Sequence, residues 1–257
     1  MSVDYEVRDR VGYATINRPR ALNAIDEEVL SDLAALLPKV AGDADVKALV
    51  FGGAGDVFSV GLDLGLLEKA FADTSYFRDV LVRLKQVLLD VEALPVPVVA
   101  SVNGLARAGG FELMLSCDLV VVAEEARVGD THLAFGILPG GGASQRLQRL
   151  VGRQRAKDLI FTGRWVMGSE AAALGLALRS VPRAELAAAI EELVAPFRRL
   201  SRPALAATKR LMNDGFGLPL PEALDLEIDR FIDFLDSEPT AREGFRASVE
   251  RREPEWP

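Results

Sequence analysis

Residues 101–142 read SVNGLARAGGFELMLSCDLVVVAEEARVGDTHLAFGILPGGG. Within them, Ala108-Gly109-Gly110-Phe111-Glu112 sets a glycine pair at the entry of an apolar segment, and Glu112 is the only charged residue from Ala108 to Cys117. A helix starting near Gly109 places Glu112 in its first turn, where the helix dipole favours a negative charge. The apolar surroundings act in the opposite sense, because burial disfavours the ionised form and raises a carboxyl pKa. A carboxyl between these pressures is an acid/base candidate. Glycines at such a position leave the backbone open to a ligand, and the first N–H groups of a helix have no partner within it, so they can meet a developing oxyanion. The same residues also suit a tight strand-to-helix turn whose Glu is paired to a neighbour.

Working outward, Val98–Val102 and Leu119–Ala123 are apolar runs that read as strands on either side of this helix. Two short β-prone runs around Tyr5-Glu6-Val7 and Tyr13-Ala14-Thr15-Ile16 flank a turn at Asp9-Arg10. After Ala24 the period changes to a helical one: Val29, Leu33, Leu36, Leu37 and Val40 share a face behind Asp26, Glu27 and Glu28 in the first turn. Ala48-Leu49-Val50-Phe51 reads as a buried strand ending at Gly52-Gly53. Residues 74–92 form a second amphipathic helix, with Phe77, Val80, Leu81, Leu84, Leu88 and Val91 on one side and Pro95 and Pro97 beyond its end. Short strands alternating with helices indicate an α/β architecture with a covered sheet.

Four spaced stretches resemble the enoyl-CoA hydratase/isomerase, or crotonase, superfamily. Residues 17–24 (NRPRALNA) resemble its NRPxxxNA entry, and residues 58–64 (FSVGLDL) its F-[SC]-x-G-x-D-[LI] loop. Residues 108–112 resemble its glycine–glutamate helix start, and residues 138–147 (LPGGGASQRL) its P-x-x-G-[GA]-[ST]-Q-R-L segment. The likeness covers roughly residues 5 to 180. It implies a spiral of repeated β-β-α units, an acyl-CoA thioester as substrate, and an oxyanion hole formed by the backbone N–H groups of Val60 and Gly109. It implies Glu112 as an acid/base residue that activates water or exchanges a proton at the acyl chain. It also implies contacts to substrate and coenzyme A from Arg20, Ala21, Leu22, Leu62, Asp63, Gly110, Pro139 and Gly140, with Arg18 or Arg20 available near phosphate. Coenzyme A enters as part of the substrate, and no separate cofactor or metal is expected.

One position departs from the family pattern. Where related hydratases carry a second Glu in F-G-x-P-E-x-x-x-G, residues 128–136 read VGDTHLAFG, and anchoring on Gly129 and Gly136 puts His132 at the Glu position. It is the only histidine in the chain. An imidazole titrates near neutrality and can supply or accept the second proton, with Asp130 in reach of the ring if the loop folds back. As a structural residue it would simply fill or cap. Hydration of a 2-enoyl-CoA is the leading expectation. The alternatives are a histidine-assisted hydrolase or isomerase of an acyl-CoA or β-dicarbonyl, and a non-catalytic acyl-CoA binding protein.

Composition narrows the class. The chain has 257 residues, is 49% hydrophobic and 26% charged, and carries a net charge of −8, which disfavours nucleic acid or an anionic membrane surface as partner. The single cysteine, Cys117, lies in an apolar run, where packing is the expected role, and suits a reducing compartment. With a charged N-terminal decapeptide and no apolar run near the roughly 18 residues of a membrane span, a cytoplasmic protein is expected. Past Val181 the strands give way to helical stripes: Leu186, Ile190, Leu193, Val194 and Phe197; then Leu224, Ile228, Phe231, Ile232 and Leu235. Further helices open at Arg202-Pro203 and Pro239. The expected organisation is a core of residues 1–195 and a helical region of residues 196–257, whose apolar faces must be buried on the core or on another subunit. The family resemblance implies that this region carries trimer contacts, in a homotrimer or a homohexamer of two trimers.

Overall fold

A computed structural model describes residues 1–256. The chain begins with the hairpin β1 (Val3–Arg8) and β2 (Val11–Ile16), whose two-residue turn places Asp9 and Arg10 at φ 46° and 65°. Left-handed conformations at both central positions match the right-handed twist of the flanking strands. A loop through Asn23 leads to α1 (Glu27–Gly42), capped by Asp26, whose side chain accepts from Val29 N. Asp26 therefore stands before the first turn rather than in it. Then follow β3 (Ala48–Gly53), β4 (Val57–Ser59), α2 (Leu64–Ala72) and α3 (Thr74–Ala93). The central segment supplies β5 (Val98–Val102), β6 (Leu105–Arg107), α4 (Gly109–Ser116), β7 (Leu119–Ala123) and β8 (Arg127–Gly129). It continues through α5 (Ala143–Val151), α6 (Arg153–Thr162), β9 (Val166–Met167), α7 (Gly168–Leu174) and β10 (Arg179–Val181).

These strands make two sheets. The larger runs β1-β2-β3-β5-β7-β10 and is parallel from β2 to β10, with only the hairpin partner β1 antiparallel. Its central strands β5 and β7 are buried along most of their length: Val98, Val99, Ala100, Val121, Val122 and Ala123 are fully enclosed, with only Ser101 and Leu119 partly exposed. This is why they read as unbroken apolar runs instead of alternating ones. The faces are covered by Leu30, Leu33 and Leu37 of α1, by Leu84, Leu88 and Val91 of α3, and by Ile190 and Val194 of α8 (Leu186–Val194).

The smaller sheet, β4-β6-β8-β9, is parallel over its first three strands, with β9 antiparallel to β8. Ser59 pairs with Ala106, Ala106 with Val128, and Arg107 with Gly129. Three chain segments therefore leave the sheet side by side at its carboxyl edge.

The helical region is stitched to the core. From α9 (Arg202–Gly215), Arg202 donates to the carbonyls of Val46, Val40 and Ala41, and Lys209 pairs with Asp118 at 2.7 Å while also donating to Val91 O and Val96 O. Helix α10 (Leu220–Ser237) has no buried residue, and its Leu224, Ile228, Phe231 and Ile232 lie exposed. Helix α11 (Pro239–Glu250) is held by buried Glu243 to Arg252. Among the described residues no helix is long and apolar enough to cross a membrane.

Asn23, fully buried at φ 55°, holds the loop before α1 to the loop between β3 and β4. Its Nδ2 donates to Ala54 O at 2.9 Å and Val57 O at 2.6 Å, while Oδ1 accepts from Arg18 N at 3.0 Å. Asn23→Ala would leave these backbone groups without partners. At about 1–3 kcal/mol for a buried polar group so orphaned, urea unfolding should show a loss of about 2–4 kcal/mol. A loss within about 0.5 kcal/mol, as at an ordinary surface site, would show that this stitch does not hold the loops.

Candidate active site

The carboxyl edge of the smaller sheet delivers the candidate catalytic groups, while Glu68 of α2 also lines the cavity. Val60 follows β4, Ala108 and Gly109 follow β6, and Asp130 to His132 follow β8. Ala108 takes φ 46° and ψ −122°, a conformation that strains a residue with a Cβ and reverses the chain between β6 and α4. Gly61, at φ 87°, lies directly against this reversal: a Cβ there would stand 2.6 Å from Gly109 N. A Cβ on Gly110 would meet Ser59 O at 2.2 Å, so Gly110 is required by backbone packing. Among the described residues, neither Val60 N–H nor Gly109 N–H donates to an acceptor within the chain.

Glu112 is 1% exposed. Its Oε1 accepts from Gly141 N at 2.8 Å and Ala143 N at 3.0 Å, which ties α4 to the glycine-rich entry of α5. Among the described residues its Oε2 has no hydrogen-bond partner, and a Cβ on Gly141 would come within 2.5 Å of it. Burial pushes the Glu112 carboxyl above its ordinary range. The Ala143 N–H, the His132 charge and the Gly141 N–H oppose that push, and the Asp130 charge adds to it.

His132 opens a single 3-10 turn, His132–Phe135, that Gly136 ends at φ 70°. The loop does fold back on itself. Asp130 Oδ1 accepts from His132 N at 3.0 Å and lies 2.7 Å from His132 Nδ1. Burial, the largest influence on the ring, acts to lower its pKa. The Asp130 hydrogen bond and the charges of Glu112 and Asp130 outweigh it, and the net direction is upward.

Glu112 and His132 face one cavity of about 760 Å³. Its walls come from α2 (Leu64, Leu67, Phe71), from α3 (Phe77, Leu81, Leu84) and from Phe135, Ile137 and Leu138. Val60, Gly109, Leu62, Pro139 and Gly140 also line it, as does Arg107, whose guanidinium lies 5.3 Å from the Phe135 ring centre.

The remaining expected contacts lie elsewhere. Arg20, Ala21, Leu22, Asp63 and Gly110 are not on the cavity wall. Asp63 caps α2 through Gly65 N and pairs with Arg18 at 3.2 Å, while Leu22 is half exposed on its own loop at φ 53°. Arg18, offered for phosphate by the sequence, is committed to Asp26 at 2.8 Å and to Asp63. Arg20 is exposed. Burial raises the Cys117 thiol pKa, which keeps this residue in an inert packing role. Helix α2 was not apparent from the sequence, because only Leu66 and Ala70 of its nine residues are buried and its apolar Leu64 and Phe71 point outward.

A mixed α/β chain of β-β-α units, with its polar groups at strand ends over an apolar cavity, defines the crotonase fold class. The chain belongs to the enoyl-CoA hydratase/isomerase family, whose pattern matches residues 6–257. It is 32% identical over 252 residues to the short-chain-enoyl-CoA hydratase of Clostridium acetobutylicum, covering 98% of this chain and 95% of that one. It is 35% identical over 254 residues to a probable enoyl-CoA hydratase of Rhizobium meliloti, covering 98% and 96%. The crystal structure of enoyl-CoA hydratase from Bacillus anthracis superposes with a TM-score of 0.93 at 31% identity, covering 100% of this chain and 99% of that one.

The direction of the Glu112 shift sets a pH dependence of stability. A folded state that binds this proton more tightly than the unfolded chain is favoured below the ordinary value of 4.5, and the advantage is lost as pH rises through the folded pKa. Glu112→Gln removes that titration. Denaturant unfolding across this range should show the parent losing stability with rising pH more steeply than the variant. Equal slopes would mean that burial leaves the carboxyl unshifted.

Proposed function

We propose that this crotonase-family enzyme acts on an acyl-CoA thioester and hydrates a 2-enoyl-CoA. The observation that carries this reading is the convergence of Glu112, His132 and the unengaged N–H groups of Val60 and Gly109 on one apolar cavity. The names of the relatives add weight to it.

In the proposed step, His132 Nε2 takes a proton from water as the water oxygen bonds to C3 of the enoyl group. The C2=C3 electron pair moves toward the thioester, and charge grows on its oxygen. The N–H groups of Val60 and Gly109 hold that charge, and fixed donors of this kind are worth about 3–4 kcal/mol each in related chemistry. The Glu112 carboxyl, which burial keeps protonated beyond its ordinary range, gives its proton to C2. His132 then returns a proton to Glu112 through cavity water, so the net change is addition of one water. Leu62, Pro139 and Gly140 contact the substrate, and coenzyme A passes out along the loop of Arg20, Ala21 and Leu22. The step calls on no cofactor.

Crotonyl-CoA tests the reading. Hydration consumes the enoyl chromophore without freeing a thiol. Hydrolysis, which the carboxylate-held His132 makes the second reading, frees coenzyme A. A binding protein would do neither. Glu112→Gln should lower turnover about a hundredfold or more, the scale of general acid–base effects, with binding of coenzyme A esters largely kept. Parent-like turnover in that variant would overturn the role of Glu112.

We further propose that the exposed apolar residues of α10, Leu224, Ile228, Phe231 and Ile232, close a trimer or a dimer of trimers. Light scattering should find that mass at micromolar concentration, and a stable monomer there would exclude it.

A further inference from the structure

Asp130 is 1% exposed, and its two oxygens have different surroundings. Oδ1 accepts from the His132 backbone N–H at 3.0 Å and also lies 2.7 Å from the ring nitrogen Nδ1. Oδ2 is buried with no hydrogen-bond partner among the described residues. The backbone bond alone is an Asx turn, which asparagine closes as well as aspartate does. Asparagine would also avoid burying a carboxylate, a costly group to desolvate when one oxygen gains nothing. The local turn therefore does not account for a carboxylate here. The ring does: a charged acceptor at Nδ1 holds the neutral imidazole in the Nδ1–H form and stabilises the imidazolium when it forms.

We propose that Asp130 is a positioning residue that fixes the His132 ring with Nδ1–H toward the sheet and Nε2 free toward the cavity. This rests on the proposed proton-transfer role of His132 and goes beyond it by assigning the atom that transfers the proton and the group that selects that atom. The geometry supports it from both sides of the ring. Nδ1 is closed off by Asp130, and the ring lines the cavity that Glu112 also lines. The other charged groups around this turn do not compete for Nδ1. Glu112, from α4, has Oε1 engaged by Gly141 and Ala143. Arg107, from β6, lies against Phe135, with its Nε 3.4 Å from Val60 O. Helix α6, which packs on the turn, carries Arg153, Arg155, Lys157 and Asp158, the last engaged by Arg164 at 3.1 Å.

Because His132 is the chain's only histidine, its ring can be read without assignment. Nitrogen–proton correlation spectra of the full protein with isotope-labelled histidine report the tautomer and the titration directly. The parent should show the neutral ring protonated at Nδ1, with a midpoint above the ordinary imidazole value of about 6.5. Asp130→Asn, which can close the same turn, should move the midpoint to lower pH. It should also lower kcat about tenfold to a hundredfold with KM little changed, the acidic limb of the rate profile moving with the midpoint. Asp130→Ala should also release the ring to the Nε2–H form.

A parent ring protonated at Nε2 would overturn the proposal without any variant being made. So would an unchanged midpoint in folded Asp130→Asn, or a shifted midpoint with unchanged turnover. The spectra need no substrate. A parent with the expected tautomer and titration that fails to hydrate enoyl-CoA esters would therefore support the positioning role while removing the hydration reading.

Discussion

Parallel pairing of three strands of three residues each, β4, β6 and β8, is the constraint on which the site depends. Strands this short bury little and contribute little stability of their own. Their register matters more. Because Ser59 faces Ala106, and Arg107 faces Gly129, the residue after each strand emerges at the same edge. That edge receives a loop N–H from Val60, a helix N-terminus with Glu112 one turn in, and the Asp130–His132 turn. A slip of one residue in any of these strands would turn its following group away from the others. The larger sheet, with its continuous buried core, supplies the rigidity that lets so small a sheet keep its register.

Close backbone approach is the second requirement, and it explains the glycines better than ligand contact does. Gly61 abuts Gly109, and Gly110 abuts the Ser59 carbonyl, so the loop after β4 and the start of α4 touch through atoms that admit no side chain. Ala108 carries the strain of this reversal, in a conformation that costs of order 1–3 kcal/mol and persists only where the surroundings over-determine it. The Asn23 bonds across to Ala54 and Val57 and the Arg18 pairs to Asp26 and Asp63 secure the loops from behind. Sequence motifs that look like binding motifs thus serve in large part to hold two N–H groups in place.

What the sequence disclosed follows from this division. Long apolar runs and helical stripes, such as Val98–Val102 and the face of α3, carry periodicity over enough residues to be read. The family's spaced motifs supplied the order in which the site residues return. The smaller sheet left no periodic trace, since three residues cannot show a period of two. Helix α2 hid its character because its apolar residues line a cavity rather than a core. Asp63, Gly110 and Arg18 have structural work that the motifs did not reveal, in a cap, a close backbone approach and two ion pairs, because a one-dimensional motif records that a residue is required, but not whether a ligand or the backbone requires it. The fold-back of Asp130 onto His132 was visible only as proximity in the chain, and its geometry depended on β8 ending at Gly129.

The electrostatics of the site then follow from which group each proton belongs to. The Glu112 charge favours the proton on His132, and the His132 charge favours ionisation of Glu112, so the two sites titrate as a pair. Burial works against charge on both, which favours the neutral imidazole beside the protonated carboxyl. Asp130 works the other way, because its carboxylate stabilises the imidazolium and its charge disfavours a second anion at Glu112. The state with a neutral ring and a protonated Glu112 is the one that the proposed hydration requires, with a proton accepted at one end of the double bond and one delivered at the other. Two carboxylates would have to divide those roles between chemically equal groups. An imidazole held by its own carboxylate, facing a carboxyl confined in an apolar wall, separates them by chemistry, and in the proposed cycle the same separation carries one proton from the ring back to the carboxyl.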